Sequence, residues 1–277
     1  MAEAHARLDE LPAWSLPAEA VDRIALPADW PERVTGEWAW GGADGKGIKV
    51  CVLDSGVEPD HPRVGPLQRS VAVHRHDEEI EFVDDDAGDL CGHGTACAGI
   101  IRALAPACEL TSVRVLGSGY TGSGPVLLAG LEWALEEGFD IVNMSLSTTK
   151  RRFAERLHEL ADAAYFRRTM IVASAHNMPV ESYPWRFASV ISVGSHELDD
   201  PFAFYYNPLP PVEFFARGLE VEVAWLGGGM IRCTGNSFAA PHLAGICALV
   251  LSKHRDLTPF QLKAVLHLTS RNVGASS

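Results

Sequence analysis

The stretch Ile48-Lys49-Val50-Cys51-Val52-Leu53-Asp54-Ser55-Gly56 is a short β-rich run that ends in an acid, a hydroxyl and a glycine. Apart from Lys49, its first six residues are apolar. A short apolar run closed by a turn signal is typical of a buried strand. Because parallel sheets carry their sites at the carboxyl ends of strands, Asp54 is a candidate functional residue.

Outward from this strand, the chain alternates short apolar runs with longer helical patterns. We predict strands over residues 48–53, 110–116, 141–146, 170–175 and 190–193, and helices over residues 95–104, 126–137, 151–168 and 262–268, with short strands or turns over 71–83, 202–206, 212–215 and 221–226. This alternation predicts an α/β fold, a three-layer sandwich with a mostly parallel central sheet flanked by helices. We expect an N-terminal arm over residues 1–40 and one domain over residues 41–277.

Composition narrows the range of functions. The formal net charge of −13 argues against a nucleic-acid partner, because phosphate binding requires clustered Lys and Arg. No apolar run approaches the ~20 residues of a membrane span, and the first residues lack the pattern of a signal peptide. The six cysteines form no CxxC pair, and Cys51 and Cys247 lie in apolar patterns, so we expect a cytoplasmic location.

Three segments carry residue types suited to nucleophilic catalysis. They are the strand end at Asp54, the glycine-flanked histidine of Gly92-His93-Gly94-Thr95-Ala96, and the serine of Gly235-Asn236-Ser237-Phe238-Ala239-Ala240-Pro241. Each has a plain structural interpretation when taken alone: a turn or capping acid, a hydrogen-bonded histidine, and a helix N-cap. Together, in the order Asp, His, Ser, they match the triad order of subtilisin.

The chain therefore resembles the subtilisin-like serine peptidases, which carry D-S/T-G, H-G-T and G-T-S-x-A-x-P motifs. The resemblance extends from about residue 45 to residue 270, and its one departure in these motifs is Asn236 in place of Thr. It implies a serine endopeptidase in which Ser237 is the nucleophile, His93 the general base and acid, and Asp54 the residue that orients the histidine. The implied partner is a peptide or protein substrate, with no cofactor. The layout is closest to the intracellular, propeptide-poor branch.

The resemblance also implies the residues around the scissile bond. Asn177, at the end of Ile171-Val172-Ala173-Ser174-Ala175-His176-Asn177, corresponds to the oxyanion asparagine of the family, although His176 stands where the family has Gly. An extended substrate would lie between two strand edges, near residues 120–123 and 145–147. The candidate substrate-binding residues are Gly122, Ser145, Leu146, Ser147, His176 and Ser182.

Several alternatives stay open at this point. The family's calcium loop after the catalytic histidine is missing, and we predict no metal site; the acidic residues 84–86 with Asp89 would bind a cation or form a solvated loop. The arm around residues 11–21 would lie across the cleft and restrain activity. A peptide macrocyclase or ligase using the same acyl-enzyme, and a non-catalytic peptide-binding module, are competing functions. The oligomeric state is left open.

Overall fold

The computed structural model describes residues 12, 13, 15–21, 24 and 30–274. Contacts between residues divide the chain into two units, Met1–Glu32 and Arg33–Ser277. The first unit contains one short described helix, α1 (Ala18–Val21). The domain division at residue 40 stays a prediction. So does the position of the arm across the cleft, and Leu11 and Trp14 of that arm lie outside the described residues.

A nine-stranded sheet is the centre of the second unit. Its strands, with the separate hairpin β10–β11, are β1 (Lys49–Asp54), β2 (Arg69–His76), β3 (Glu79–Asp84), β4 (Glu109–Arg114), β5 (Ile141–Met144), β6 (Met170–Ser174), β7 (Ile191–His196), β8 (Phe204–Tyr206), β9 (Phe214–Arg217), β10 (Val221–Trp225) and β11 (Gly229–Cys233). The order in the sheet is β3-β2-β4-β1-β5-β6-β7-β9-β8. All neighbours pair in parallel except the two edge strands, β3 and β8.

Helices cover both faces of this sheet. They are α2 (Gly36–Trp40), α3 (His93–Leu104), α4 (Gly124–Glu136), α5 (Ala154–Phe166), α6 (Asn236–Lys253), α7 (Pro259–Thr269) and α8 (Arg271–Gly274). Buried residues of α3, α6 and α7 form one apolar cluster, and those of α4 and α5 form a second. Among the described helices, none is long and apolar enough to cross a membrane.

The residues of β1 explain why both faces are covered. Val50 and Val52 join the first cluster, whereas Cys51 and Leu53 join the second. Successive side chains of a strand point to opposite faces, so a nearly continuous apolar run requires helices on both sides. The predicted three-layer α/β sandwich with a mostly parallel sheet is therefore confirmed.

Apart from shifts of a few residues at element ends, the observed elements differ from the predicted ones in three places. The helix predicted over residues 151–168 begins as a 3-10 turn at Arg151–Phe153, and its α-helical part ends at Phe166. Helix α2 lies within the predicted N-terminal arm, where no helix was predicted at residues 36–40; the side chain of Thr35 caps its start and accepts a hydrogen bond from the Trp38 amide. Strand β11 was not predicted, because its side chains are mostly exposed and carry no buried apolar alternation.

Candidate active site

Asp54 and His93 meet at the carboxyl end of the sheet. Asp54 is the last residue of β1, and His93 is the first residue of α3. His93 Nδ1 lies 2.7 Å from Asp54 Oδ1, with the Asp54 side chain fully buried and the His93 side chain 11% exposed. Because this hydrogen bond uses Nδ1, the other ring nitrogen, Nε2, is left for a reacting group.

Two glycines allow the helix to start beside the strand end. Gly92 caps α3 with a φ of +86°, a left-handed conformation that suits glycine. Gly94 lies so close to the neighbouring loop that an added Cβ would be 2.0 Å from the carbonyl oxygen of Gly56. The Gly-His-Gly sequence thus permits the close approach that brings His93 to Asp54.

The electrostatic surroundings of His93 favour its charged form. Burial by itself lowers the pKa of His93, but the charge and hydrogen bond of Asp54, with a further contribution from Asp89, raise it more. The net result is a pKa above the ordinary histidine value. Asp54 therefore orients the ring and also stabilises the imidazolium that forms when His93 accepts a proton.

Asp89 is a positioning residue that the sequence did not reveal as one. Its Oδ1 accepts hydrogen bonds from Ser55 Oγ and from the backbone amides of Cys91 and Gly92. Its Oδ2 accepts from both the amide and the hydroxyl of Thr95, at 2.8 and 2.6 Å. One carboxylate thus ties the end of β1 to the first turn of α3, on either side of His93. Its place four residues before the histidine was the available signal.

Ser237 is the second residue of α6. Its hydroxyl therefore lies at the positive end of a long helix, where backbone N–H groups are unpaired. The Ser237 carbonyl accepts a 2.7 Å hydrogen bond from Ser145 Oγ. The preceding Asn236 is structural: its Oδ1 accepts from the Ser195 amide at 3.0 Å. The departure from the family's Thr therefore leaves the nucleophile's setting intact.

The side-chain amide nitrogen of Asn177 lies close to the Ser237 hydroxyl. Its Oδ1 accepts a 2.9 Å hydrogen bond from the Asn236 amide, which leaves Nδ2 as the free donor. A Cβ added at Gly235 would lie 3.4 Å from both Asn177 Nδ2 and Ser237 Oγ, so the two groups are close neighbours across this glycine. Asn177 Nδ2 and the Ser237 backbone N–H can therefore both donate hydrogen bonds to an oxyanion that forms beside Ser237 Oγ.

A cleft of about 710 Å³ joins these groups. His93, Asn177 and Ser237 line it, together with five of the six predicted substrate-binding residues: Gly122, Ser145, Leu146, Ser147 and His176. Ser182 is not among the lining residues. It is fully buried, and its hydroxyl accepts a 2.8 Å hydrogen bond from Trp185 Nε1. In place of the predicted substrate contact, Ser182 has a hydrogen bond within the protein interior.

Two of the four carboxylates that suggested a cation site, Asp85 and Asp89, have hydrogen-bonding partners in the protein. Asp85 accepts two hydrogen bonds from Arg114, at 2.8 and 3.0 Å, and Asp89 is occupied as described above. Among the described residues, one group of three possible metal ligands lies together: Asp54, His93 and Cys97. Burial raises the pKa of the Cys97 thiol well above its usual value, and a protonated thiol is a poor metal ligand.

The site combines a buried Asp–His pair, a serine at a helix start and an amide donor at the edge of a parallel sheet. This combination defines the class of serine hydrolases. The model of the Subtilase family matches residues 45–277, and the chain belongs to this family. The chain is accordingly a serine endopeptidase.

Individual relatives agree with this assignment. The chain is 30% identical over 250 residues to subtilisin DY of Bacillus licheniformis, covering 85% of this chain and 88% of the relative. It is 30% identical over 247 residues to subtilisin Savinase of Lederbergia lenta, with the same two coverages. A solved structure of a cold adapted subtilisin-like serine proteinase is similar with a TM-score of 0.67 and 28% identity, over 87% of this chain and 86% of that chain.

Proposed function

We propose that the chain hydrolyses peptide bonds through an acyl-enzyme on Ser237, with His93 as general base and acid and Asp54 orienting it. The observation that carries this proposal is the buried 2.7 Å bond between His93 Nδ1 and Asp54 Oδ1 in a cleft shared with Ser237. A serine hydroxyl is a weak nucleophile near pH 7 and requires an adjacent base.

The first half of the reaction forms the ester. Ser237 Oγ transfers its proton to His93 Nε2 and attacks the carbonyl carbon of the scissile bond. The resulting oxyanion accepts hydrogen bonds from Asn177 Nδ2 and the Ser237 backbone N–H, and Asp54 stabilises the imidazolium. When the C–N bond breaks, His93 returns the proton to the leaving amine.

The second half returns the enzyme to its starting state. Water gives a proton to His93 and attacks the ester carbonyl, and the same donors hold the new oxyanion. The ester bond then breaks, His93 returns the proton to Ser237 Oγ, and the carboxylic acid leaves. Because the pKa of His93 is raised, activity should increase with pH through a value above that of a free histidine.

We further propose a selective peptidase of the intracellular branch, such as one that matures particular peptides. Side chains at Ser147, Thr148 and His176 line the cleft and reduce the range of residues that fit beside the scissile bond. All six cysteines are free, which suits the reducing environment of the cytoplasm. Digestion of a library of peptides tests this proposal. Cleavage with no preference for particular residues around the scissile bond would contradict the proposed selectivity.

Labelling with a fluorophosphonate tests the proposed nucleophile. We expect a single adduct on Ser237, located by mass spectrometry, that is lost in His93→Ala and retained in the control Ser252→Ala. Ser252 lies in the same helix, with its hydroxyl bonded to the Leu249 carbonyl. The chain lacking residues 1–20 is labelled in parallel, since a restraining arm would slow the full chain.

The outcomes separate the competing functions. An adduct together with hydrolysed peptide supports the peptidase. An adduct with products lighter by one water than the hydrolysed peptide indicates cyclisation or ligation. No adduct in either chain length would overturn the acyl-enzyme and leave a binding module.

A further inference from the structure

The cleft has a charge opposite to that of the whole molecule. The chain has a formal net charge of −13. Yet among the described residues that line the cleft, none is Asp or Glu, and one, Lys150, carries a permanent positive charge. Since 36 acidic residues are distributed over 277 positions, a cleft wall of this size without a carboxylate is a distinctive feature of the site.

Lys150 is available to a ligand. It belongs to the basic run Lys150-Arg151-Arg152, in which the Arg152 guanidinium lies over the Phe153 ring, 4.8 Å from its centroid. Lys150 itself lines the cleft and is exposed. In the part of the chain that the structure describes, no carboxylate lies within 4.0 Å of its ammonium nitrogen.

His176 supplies a second donor with a defined orientation of its proton. Its Nδ1 accepts a 3.0 Å hydrogen bond from the Met178 amide, so in the neutral ring the proton is on Nε2. His176 is half-buried in the cleft wall, and no hydrogen bond from Nε2 is found among the described residues. The Nε2–H group can therefore donate to an acceptor on the substrate.

The strand pairing brings these two donors to the same cleft. Lys150 follows β5, and His176 follows β6, and these strands are parallel neighbours paired from Ile141 with Met170 to Met144 with Ala173. Both loops thus leave the same edge of the sheet next to Asn177. The side chain of the residue that supplies the scissile carbonyl begins two bonds from the carbon held at Asn177 and Ser237, so it starts beside the loop that carries His176. Ser147 and Thr149 add hydroxyl groups to the same cleft lining.

We propose that this pocket selects an acidic residue, Glu or Asp, on the amino side of the scissile bond. A carboxylate there accepts a charge-assisted hydrogen bond from Lys150 Nζ and a second one from His176 Nε2–H. The absence of a described carboxylate in the cleft lining removes the repulsion that the acidic protein would otherwise impose at short range, and salt screens the remainder beyond about 8 Å. This inference rests on the proposed acyl-enzyme function.

Matched fluorogenic peptides test the inference. The peptides differ only in the residue before the scissile bond: Glu, Gln, Asp, Asn, Lys and Phe. We expect kcat/KM for Glu to exceed that for Gln by about tenfold or more, which is the size of one good charge-assisted hydrogen bond. Lys150→Gln should reduce the ratio to near one, and Lys150→Glu should turn the preference toward Lys.

The control variant is Arg152→Gln, which removes one positive charge two residues away and outside the cleft lining. It should leave the Glu to Gln ratio unchanged. His176→Gln keeps a donor of similar reach and should preserve part of the ratio, whereas His176→Leu should lower it.

The two proposals fail in different ways. If the Phe peptide is cleaved and Ser237 is labelled, but Glu is cleaved no faster than Gln, the acidic selectivity is wrong and the peptidase stands. If Arg152→Gln lowers the ratio as much as Lys150→Gln does, the effect is one of general charge and the pocket assignment is wrong. If no peptide is cleaved and no serine is labelled, both proposals fail.

Discussion

The surroundings of His93 and the pocket wall around Lys150 show opposite uses of polar groups. Near His93, Asp54 and Asp89 are buried, and their oxygens accept hydrogen bonds from side chains and backbone amides of β1 and α3. At the pocket wall, the Lys150 ammonium has no described carboxylate partner, and His176 uses its Nδ1 within its own loop. The first region is satisfied by the protein, and the second has donors free for a substrate.

This difference separates geometry from selectivity. A buried, fully bonded network fixes the positions of reacting groups, because moving any member leaves an unpaired polar group. An exposed wall with free donors gains its partners when the substrate binds. Substitutions in the first region should therefore lower turnover and stability, whereas substitutions in the second should change which peptide is cleaved.

The largest effect is expected at Asn177, which joins the two regions. Asn177→Ala removes the Nδ2 donor. We expect kcat to fall by about 10²–10³-fold, which is the loss caused by removing an oxyanion-hole donor in subtilisin, and KM to change little. Asn177→Asp replaces the donor by an acceptor and should lose at least as much. Steady-state kinetics with the preferred peptide provides the test. A change confined to KM would show that Asn177 binds the ground state instead.

Asp89→Asn tests the buried network. One of its two oxygens becomes an NH₂ group that faces N–H or O–H donors, so we expect the free energy of unfolding to fall by roughly 3–4 kcal/mol. The acidic limb of the kcat/KM profile should also move to lower pH, because the charge of Asp89 helps raise the pKa of His93.

The matched control for that change is Asp86→Asn, an exposed acid in the same loop. Denaturant unfolding in a Ser237→Ala background avoids self-digestion, and the pH profile is measured in the active form. Equal losses from both substitutions would mean that loop charge in general, and not the hydrogen bonds of Asp89, supports the helix start.

His242 is a separate buried polar residue in α6. Burial lowers the pKa of His242 from 6.5 to about 4, and its Nδ1 donates to the Phe238 carbonyl at 2.8 Å. As pH falls from 6.5 to 4, the unfolded chain takes up a proton that the folded chain does not. The free energy of unfolding should therefore decrease over this window, by about 3 kcal/mol in total, and be at its full value above pH 6.5.

Unfolding of His242→Gln and of the exposed control His76→Gln, again in the Ser237→Ala background, measures this contribution. The first variant should have a flatter dependence between pH 6.5 and 4, and the second should match the parent chain. An unchanged slope in His242→Gln would assign the acid sensitivity to other groups.

The sequence predicted the parts of the site that depend on local pattern. Asp54 could be found because it ends an apolar strand, and His93 because glycines flank it at a helix start. Their meeting follows from parallel topology, since the carboxyl ends of neighbouring strands share one edge of the sheet. The three-layer fold was also predictable from local pattern, because apolar runs such as that of β1 require helices on both faces of the sheet.

The rest depends on contacts between distant segments. The role of Asp89 is set by hydrogen bonds that reach back to Ser55 and forward to Thr95. Its place four residues before His93 was the one signal in the sequence, and the acidic pattern of residues 84–89 by itself is that of a solvated loop. The resemblance implies that Ser182 contacts the substrate, yet its side chain is buried and its hydroxyl accepts a hydrogen bond from the Trp185 indole. The charge of the cleft likewise appears only when the loops after β5 and β6 are brought together.

The smallest effect is expected at Ser147, in the exposed wall. Ser147→Gly removes a side chain that lines the cleft. We expect kcat/KM to rise a few-fold for peptides with a large residue before the scissile bond, and to change little for the Glu peptide. The free energy of unfolding should fall by less than about 1 kcal/mol, as is usual for a partly exposed site. If Ser147→Gly instead lowered kcat for every peptide alike, this wall would belong to the catalytic geometry, and the division between the two regions would be wrong.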